Sequence, residues 1–200
     1  MTVPLTLLFA SNNRHKADEI NSMLGEQFHI ITLAEAGIVI DIPEPHDTIA
    51  ANAAEKSSVT YQLTGKNCFG EDTGLEVEAL GGAPGVKSAR FAGEKATAMD
   101  NMIKLQELMK GQSNRKARFV TVISLRLNGE HHFFSGICSG TIAEFPAGKD
   151  GFGYDPLFIP AGSNRSFAEM SMDEKNKYSH RKKAVQSMIN FLKQTPESNK

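Results

Sequence analysis

The sequence predicts an α/β protein built on a mixed sheet. Three observations carry that expectation. Strand-length apolar runs alternate with helical patterns, the first run has no polar face, and one strand pair is closed by a two-residue hairpin turn. Leu5–Ala10 is that first run, ended by Ser11-Asn12-Asn13, and it reads as a strand buried on both sides. Ala17, Ile20, Met23 and Leu24 recur at helical spacing and predict an amphipathic helix from Lys16 to about Gln27. His29–Leu33 reads as a second strand, and Asp41 to Asp47, with Pro43 and Pro45, as an acidic loop. Thr48 to Leu63 is an Ala-rich helix with Gly65 as its stop. Asn67–Phe69 is a short strand running into Glu71-Asp72-Thr73-Gly74, and Gly81–Gly85 a loop. Thr97 to Lys110 places Met102, Leu105 and Met109 on one helical face. Arg118–Leu127 alternates as a strand, Asn128-Gly129 is the hairpin turn, and His132–Phe145 returns as one or two strands. A glycine-rich loop spans Gly148 to Gly153, and Ser179 to Lys193 is a last helix with Val185, Met188, Ile189 and Leu192 inward. The tail from Gln194 is polar and expected to fray.

Composition bounds the function classes. The 200 residues suit one domain, or one domain with two lobes, and 40% hydrophobic content excludes a largely disordered chain. Twenty-two basic and 23 acidic residues leave a net charge of −1, which supplies no general field for gripping a nucleic-acid polymer. Cys68 and Cys138 have neither metal nor redox spacing and read as small buried side chains. No apolar run approaches the ~18–20 residues that span a bilayer. The N-terminus lacks a signal-type pattern, so a cytoplasmic protein is expected.

Four segments carry candidate chemistry. Ser11, Asn12, Asn13, Arg14, His15 and Lys16 join a strand to a helix start, where amides and the dipole favour an anion and Lys16 can reach a phosphate. Ordinary capping by Ser11 or Asn13 is the competing reading. Glu71 and Asp72 are adjacent carboxylates at a strand end, where one can hold Mg²⁺ and one can deprotonate a water. Successive strand residues point to opposite faces, so one of the two is expected to face the site. In Gly151-Phe152-Gly153-Tyr154-Asp155-Pro156 an exposed ring beside a carboxylate suits a flat heterocycle. Lys175 with Ser179-His180-Arg181 offers donors at a helix start, where basic residues oppose the dipole and so call for a ligand. Together these describe a nucleoside-polyphosphate site.

In this order the motifs resemble those of the inosine triphosphate pyrophosphatase family. Ala10-Ser11-Asn12-Asn13-Arg14-His15-Lys16 is similar to its A-T-G-N-x-x-K loop. Glu71-Asp72-Thr73-Gly74-Leu75, Leu80 to Gly85 and Ser88-Ala89-Arg90-Phe91 are similar to its D-D-S-G-L, L-G-G-x-P-G and S-A-R-Y. Gly151 to Pro156 is its G-F-G-Y-D-P, and Lys175 with Ser179-His180-Arg181 its closing K and S-H-R. The resemblance implies an elongated mixed sheet with flanking helices, in two lobes around a nucleotide cleft. It implies hydrolysis of dITP, ITP or XTP to monophosphate and pyrophosphate with Mg²⁺, in a homodimer. Asp72 becomes metal ligand and general base, with Glu71 beside it on the metal. Ser11 to Lys16, Lys56 and Thr73 hold phosphates. Phe152, Gly153, Tyr154, Asp155, Lys175, His180 and Arg181 bind base and sugar.

Three departures stand out. Ala51 occupies the family's Glu position before Asn52, which leaves Asp47 or Glu55 to replace the acid, or catalysis weakened or lost. Glu71 and Ser11 are conservative changes. Asn12 replaces a glycine, which raises the question of its φ. A third reading is a hydrolase of related fold acting on pyrimidine or methylated nucleotides.

Overall fold

The computed structural model describes residues 4–195. The expected frayed tail falls outside the described residues from position 196 onward, and Gln194 still belongs to the last helix. In chain order the elements are β1 (Leu5–Phe9), α1 (Arg14–Asn21), β2 (Phe28–Thr32), α2 (Ile49–Thr64), β3 (Cys68–Val77) and β4 (Pro84–Gly85). They continue with α3 (Ala98–Leu108), β5 (Lys116–Leu127), β6 (Glu130–Ile142), β7 (Phe158–Pro160), α4 (Met172–Lys175) and α5 (His180–Gln194). The strands form one sheet in the order β2-β1-β3-β5-β6-β7, with β4 beside β3. Pairing is parallel between β1 and both β2 and β3, and antiparallel between β3 and β4 and between β6 and β7. The protein is α/β with a mixed sheet and flanking helices.

The chain divides into two compact units, and it passes between them within β3, β5 and β6 and at the start of α5. The first comprises residues 4–72, 122–136 and 181–195 of those described. Its strand β1 is apolar on both faces because two cores receive it. Leu7 and Phe9 pack with Ala17 and Ile20 of α1 and with Val185, Met188, Ile189 and Leu192 of α5. Leu8 packs with Leu33 and Cys68, flanked by Ile31, Ile38, Ile40 and Ile42. Each such side chain contributes ~1.5–3 kcal/mol on burial.

The second unit comprises residues 73–121 and 137–180. Its core joins Leu75 and Val77 of β3, Met102 and Leu105 of α3 with Met109 behind them, Phe119 of β5, and Phe158 and Phe167. The periodicity of α3 is thus met as expected, and Thr97 and Asp100 close a capping box ahead of it.

Several boundaries move for local reasons. Helix α1 starts at Arg14 because Asn13 caps it, its side chain accepting from the Lys16 amide at 3.1 Å. It ends at Asn21 because the chain tightens, with Met23 N–H bonding Ile20 O and Leu24 N–H bonding Asn21 O. Met23 and Leu24 still reach the first core from that turn. Strand β3 is ten residues long, so Glu71 and Asp72 lie inside it and not at its end. Pro84–Gly85, expected as loop, pairs with β3. Strand β6 is one strand of 13 residues, and its turn with β5 holds Asn128 at φ 51° and Gly129 at φ 88°. Asn128 is the one non-glycine residue at positive φ among the described residues, so Asn12 takes its glycine's place without a left-handed backbone.

One glycine sets how closely α2 lies on β3. A Cβ at Gly70 would stand 2.3 Å from Ala53 O, 2.7 Å from Lys56 Cβ and 2.8 Å from Ser57 N. Gly70→Ala is therefore expected to cost ~1–3 kcal/mol in urea unfolding and to displace Lys56. A variant with parental stability would show that α2 yields freely. No helix among the described residues is long and apolar enough to cross a membrane.

Candidate active site

In the first unit, buried charges converge around β3. Lys56 projects from α2 and places Nζ 3.1 Å from Asp72 Oδ1 and 3.1 Å from the Glu71 carbonyl. Glu44, from the acidic loop between Pro43 and Pro45, closes on the same ammonium. Asn52 pins that loop from α2. Its Oδ1 accepts from His46 N at 3.0 Å, and its Nδ2 donates to His46 O at 3.1 Å. Burial opposes the charge on Lys56, yet the carboxylates of Asp72, Glu44 and Glu71 raise its pKa above the ordinary lysine value. Burial likewise holds Asp72 above the usual carboxylate range, against the pull of Lys56 and Lys16. Asp72 Oδ2 is buried and has no hydrogen-bond partner among the described residues.

Glu71 takes other partners. Its Oε2 lies 2.8 Å from Lys16 Nζ and its Oε1 3.0 Å from Arg181 Nη2, while Arg181 Nη1 pairs with Glu19. Two residues have partners here other than those their expected roles name. Glu71, expected on the metal beside Asp72, has each oxygen on a cation, because the pleat sends it away from Asp72's partner. Arg181, expected on base and sugar, is 1% exposed and serves as counter-ion to Glu19 and Glu71. Lys16, expected on phosphate, stands on Glu71 in this structure.

The rest of the Ser11–Lys16 segment is a cap. Asn13 N–H donates to Ser11 Oγ at 3.1 Å, and Asn12 Oδ1 accepts from Ala34 N at 3.1 Å. Arg14 and His15 are exposed at the start of α1. Sequence reasoning overlooked one further acid, Glu44. Glu55 lies 3.4 Å from His46 and Asp47 is exposed, whereas Glu44 shares Lys56 with Asp72. Two flanking prolines in an acidic loop were the available signal.

In the second unit, Asp155 Oδ2 receives Lys175 Nζ at 2.6 Å and the Phe152 amide at 2.9 Å. Lys175 also lies over the rings of Phe152 and Phe167, 5.2 and 5.3 Å from their centroids. Phe152 and Gly153 remain partly exposed, so the aromatic keeps a surface for a ring ligand. Gly151 is required here: its φ is +75°, and a Cβ would meet Asp155 Oδ2 at 2.2 Å. Tyr154, expected on base and sugar, is buried in the core with its hydroxyl donating to Ser88 O at 2.9 Å. His180 stacks on Phe119 at 4.8 Å, and its Nδ1 lies 2.6 Å from Thr121 Oγ1. Thr121 Oγ1 is in turn 2.6 Å from Thr73 Oγ1. Thr121 is a further residue the sequence did not flag, since a threonine in an alternating strand carries no motif.

Cys68 and Cys138 stay as buried thiols, Cys68 with its pKa pushed up to about 12 by burial. Among the described residues no three of His, Cys, Asp and Glu form a metal cage. One or two carboxylates completed by phosphate oxygens are what Mg²⁺ commonly takes. The buried, unpartnered Oδ2 of Asp72 fits that requirement.

The profile of the Ham1 family matches residues 7–191. The chain belongs to the Ham1 family. Among curated Ham1 relatives, the dITP/XTP pyrophosphatase of Flavobacterium johnsoniae is 48% identical over 191 residues, covering 96% of this chain and all of that protein. That of Porphyromonas gingivalis is 49% identical over 187 residues, covering 93% and 96%. Among solved structures, a Ham1 protein from Coxiella burnetii superimposes with a TM-score of 0.87 at 35% identity, covering 96% of this chain and 100% of that one. The Staphylococcus aureus Ham1 protein gives a TM-score of 0.85 at 35% identity, covering 94% and 98%.

Proposed function

We propose that this chain hydrolyses deaminated purine nucleoside triphosphates, dITP, ITP and XTP, to the monophosphate and pyrophosphate. The observation that carries the chemistry is Asp72: buried, with Lys56 on one oxygen and no hydrogen-bond partner on the other. In this reading Asp72 takes a proton from water, whose oxygen forms a bond to the α-phosphorus. The bond from that phosphorus to the bridging oxygen breaks, and pyrophosphate leaves with the electron pair. Asp72 and Glu44 would hold Mg²⁺, which when bound neutralises charge along the triphosphate. Lys56, its pKa raised by its carboxylate partners, keeps its charge beside these acids, and Lys56 and Lys16 orient phosphate oxygens. The start of α1 and Thr73 add phosphate donors.

Base recognition belongs to the second unit. Phe152 offers a ring face, and Lys175 fixes Asp155 beside it. Hypoxanthine and xanthine present an acceptor at O6, which suits a donor from His180. Adenine presents a donor there and leaves buried donors unpaired, at ~1–3 kcal/mol. Arg181, paired with Glu19 and Glu71, is assigned here to holding those acids. Loss of catalysis through Ala51 is not needed, since Glu44 brings an acid to Lys56.

The test is a panel of dITP, XTP, dGTP, dATP, pyrimidine and methylated triphosphates with Mg²⁺, reading pyrophosphate and orthophosphate separately. Pyrophosphate from dITP and XTP at ~10-fold or greater preference over dATP is expected. Orthophosphate release would replace this reading with a γ-phosphatase. A homodimer, implied by the family resemblance, and a cytoplasmic setting complete the proposal. Sedimentation at assay concentration, with a dimer mass expected, checks the first.

A further inference from the structure

In the first unit, one turn of α2 grips the acidic loop at three places. Asn52 is fully buried, and its side chain meets both backbone groups of His46: Oδ1 accepts from the N–H at 3.0 Å, and Nδ2 donates to the carbonyl at 3.1 Å. Three residues on, Glu55 lies 3.4 Å from His46 Nε2, and at the next position Lys56 pairs with Glu44. Positions 52, 55 and 56 share one face of a helix. Lys56 Nζ also stands 3.1 Å from Asp72 Oδ1. Two carboxylates that meet one ammonium are close enough to share a small divalent cation, directly or through its water. Asp72 adds a buried second oxygen, Oδ2, with no hydrogen-bond partner among the described residues. Asp72 is fixed by its strand. Glu44 sits on a loop, so its place depends on what holds that loop.

We propose that Asn52 is a positioning residue that sets the divalent-cation affinity of Asp72 and Glu44. The inference rests on the reading of the site given above. Pro43 and Pro45 fix φ on either side of Glu44, so the loop turns as a stiff piece and a hold at His46 is felt at Glu44. An asparagine suits that hold, since one planar amide carries both an acceptor and a donor. Aspartate lacks the donor, and leucine lacks both. The Asn52 end of these bonds is buried, where an amide left without partners is costly. Releasing the loop leaves Asp72 in place and lets Glu44 move away from it. Outer residues that orient a metal's ligands commonly account for ~10–100-fold of its affinity.

The experiment uses the full chain with Mn²⁺ alone as the probe, bound and free ion being separated by electron paramagnetic resonance. Asn52→Leu nearly keeps the volume and removes both bonding atoms, and it is expected to weaken Mn²⁺ binding ~10–100-fold. Glu44→Gln should weaken binding to a similar degree. Adding Asn52→Leu to it should weaken binding no further, because the two act through one acid. His46→Pro deletes the N–H from the loop side and guards against a helix variant that fails to fold, and its binding should fall in the same direction. His46→Ala keeps that N–H and should bind as the parent does. In turnover of dITP, Asn52→Leu should need more Mg²⁺ for the half-maximal rate, with kcat recovered at saturating Mg²⁺, a recovery that a merely disordered site would not show. No Mn²⁺ binding by the parent, equal affinity in Asn52→Leu, a full further loss in the Glu44→Gln background, or equal losses in His46→Ala and His46→Pro would overturn the proposal. Failure of the parent protein to release pyrophosphate from any triphosphate would instead refute the proposed function, and the Mn²⁺ titrations would then decide the role of Asn52 alone.

Discussion

Asp72→Asn is expected to lower pyrophosphate release from dITP by ~10²–10⁴-fold, the range lost with a general base, while the chain still folds. The substitution keeps the shape of the side chain and removes its basicity. Lys56 retains Glu44 and the Glu71 carbonyl as partners. Burial raises the pKa of Asp72, so activity should fall on the acid side at a higher pH than an ordinary aspartate gives. The sign for stability follows from the same shift. A carboxyl whose folded pKa is raised binds its proton more tightly in the native state, so its contribution worsens as pH rises from the ordinary carboxylate value through the raised one. At neutral pH the asparagine variant should therefore melt no lower than the parent. A rate within tenfold of the parent would assign the base to another residue.

Arg181→Ala should be the most destabilising single change at the site, costing ~3–5 kcal/mol, because it leaves carboxylates buried without their guanidinium. Against a typical total of ~5–15 kcal/mol that is a large share of the fold's stability. Arg181 lies between Glu19 on α1 and Glu71 on β3, and all three are buried. Arg181→Lys, which keeps the charge and loses the two-pronged geometry, should fall between. The double change Glu19→Gln with Arg181→Met should recover part of the loss, because charge and counter-charge leave together. Urea unfolding measures all three. Full stability with a raised KM for dITP would return Arg181 to the base-binding role that the motif resemblance implies.

The contrast between these residues shows what the chain makes legible. Helix α2 is readable from Thr48 to Gly65 because its cap, its alanines and its stop are local features. The same holds for α3, where Thr97 and Asp100 cap a stripe of buried side chains. Asp72 stands out because an acidic pair in an apolar strand is costly to bury without a purpose. Glu44 does not stand out, because one acid among several in a proline-bearing loop gains meaning only when Asn52 folds that loop back over α2. Thr121 is silent for the same reason.

By itself, then, the sequence determines the α/β class, most of the helices and strands, and the order of the nucleotide-site motifs. Each depends on periodicity, capping and turn chemistry within a few residues. Tertiary structure alone decides which buried charge faces which. It gives Glu71 to Lys16 and Arg181, and it gives Asp72 to Lys56 with Glu44 alongside. Arg181 and Glu71 are 110 residues apart in sequence. Strong electrostatic pairing in a desolvated interior depends on a few ångströms of separation, a distance that no spacing along the chain encodes.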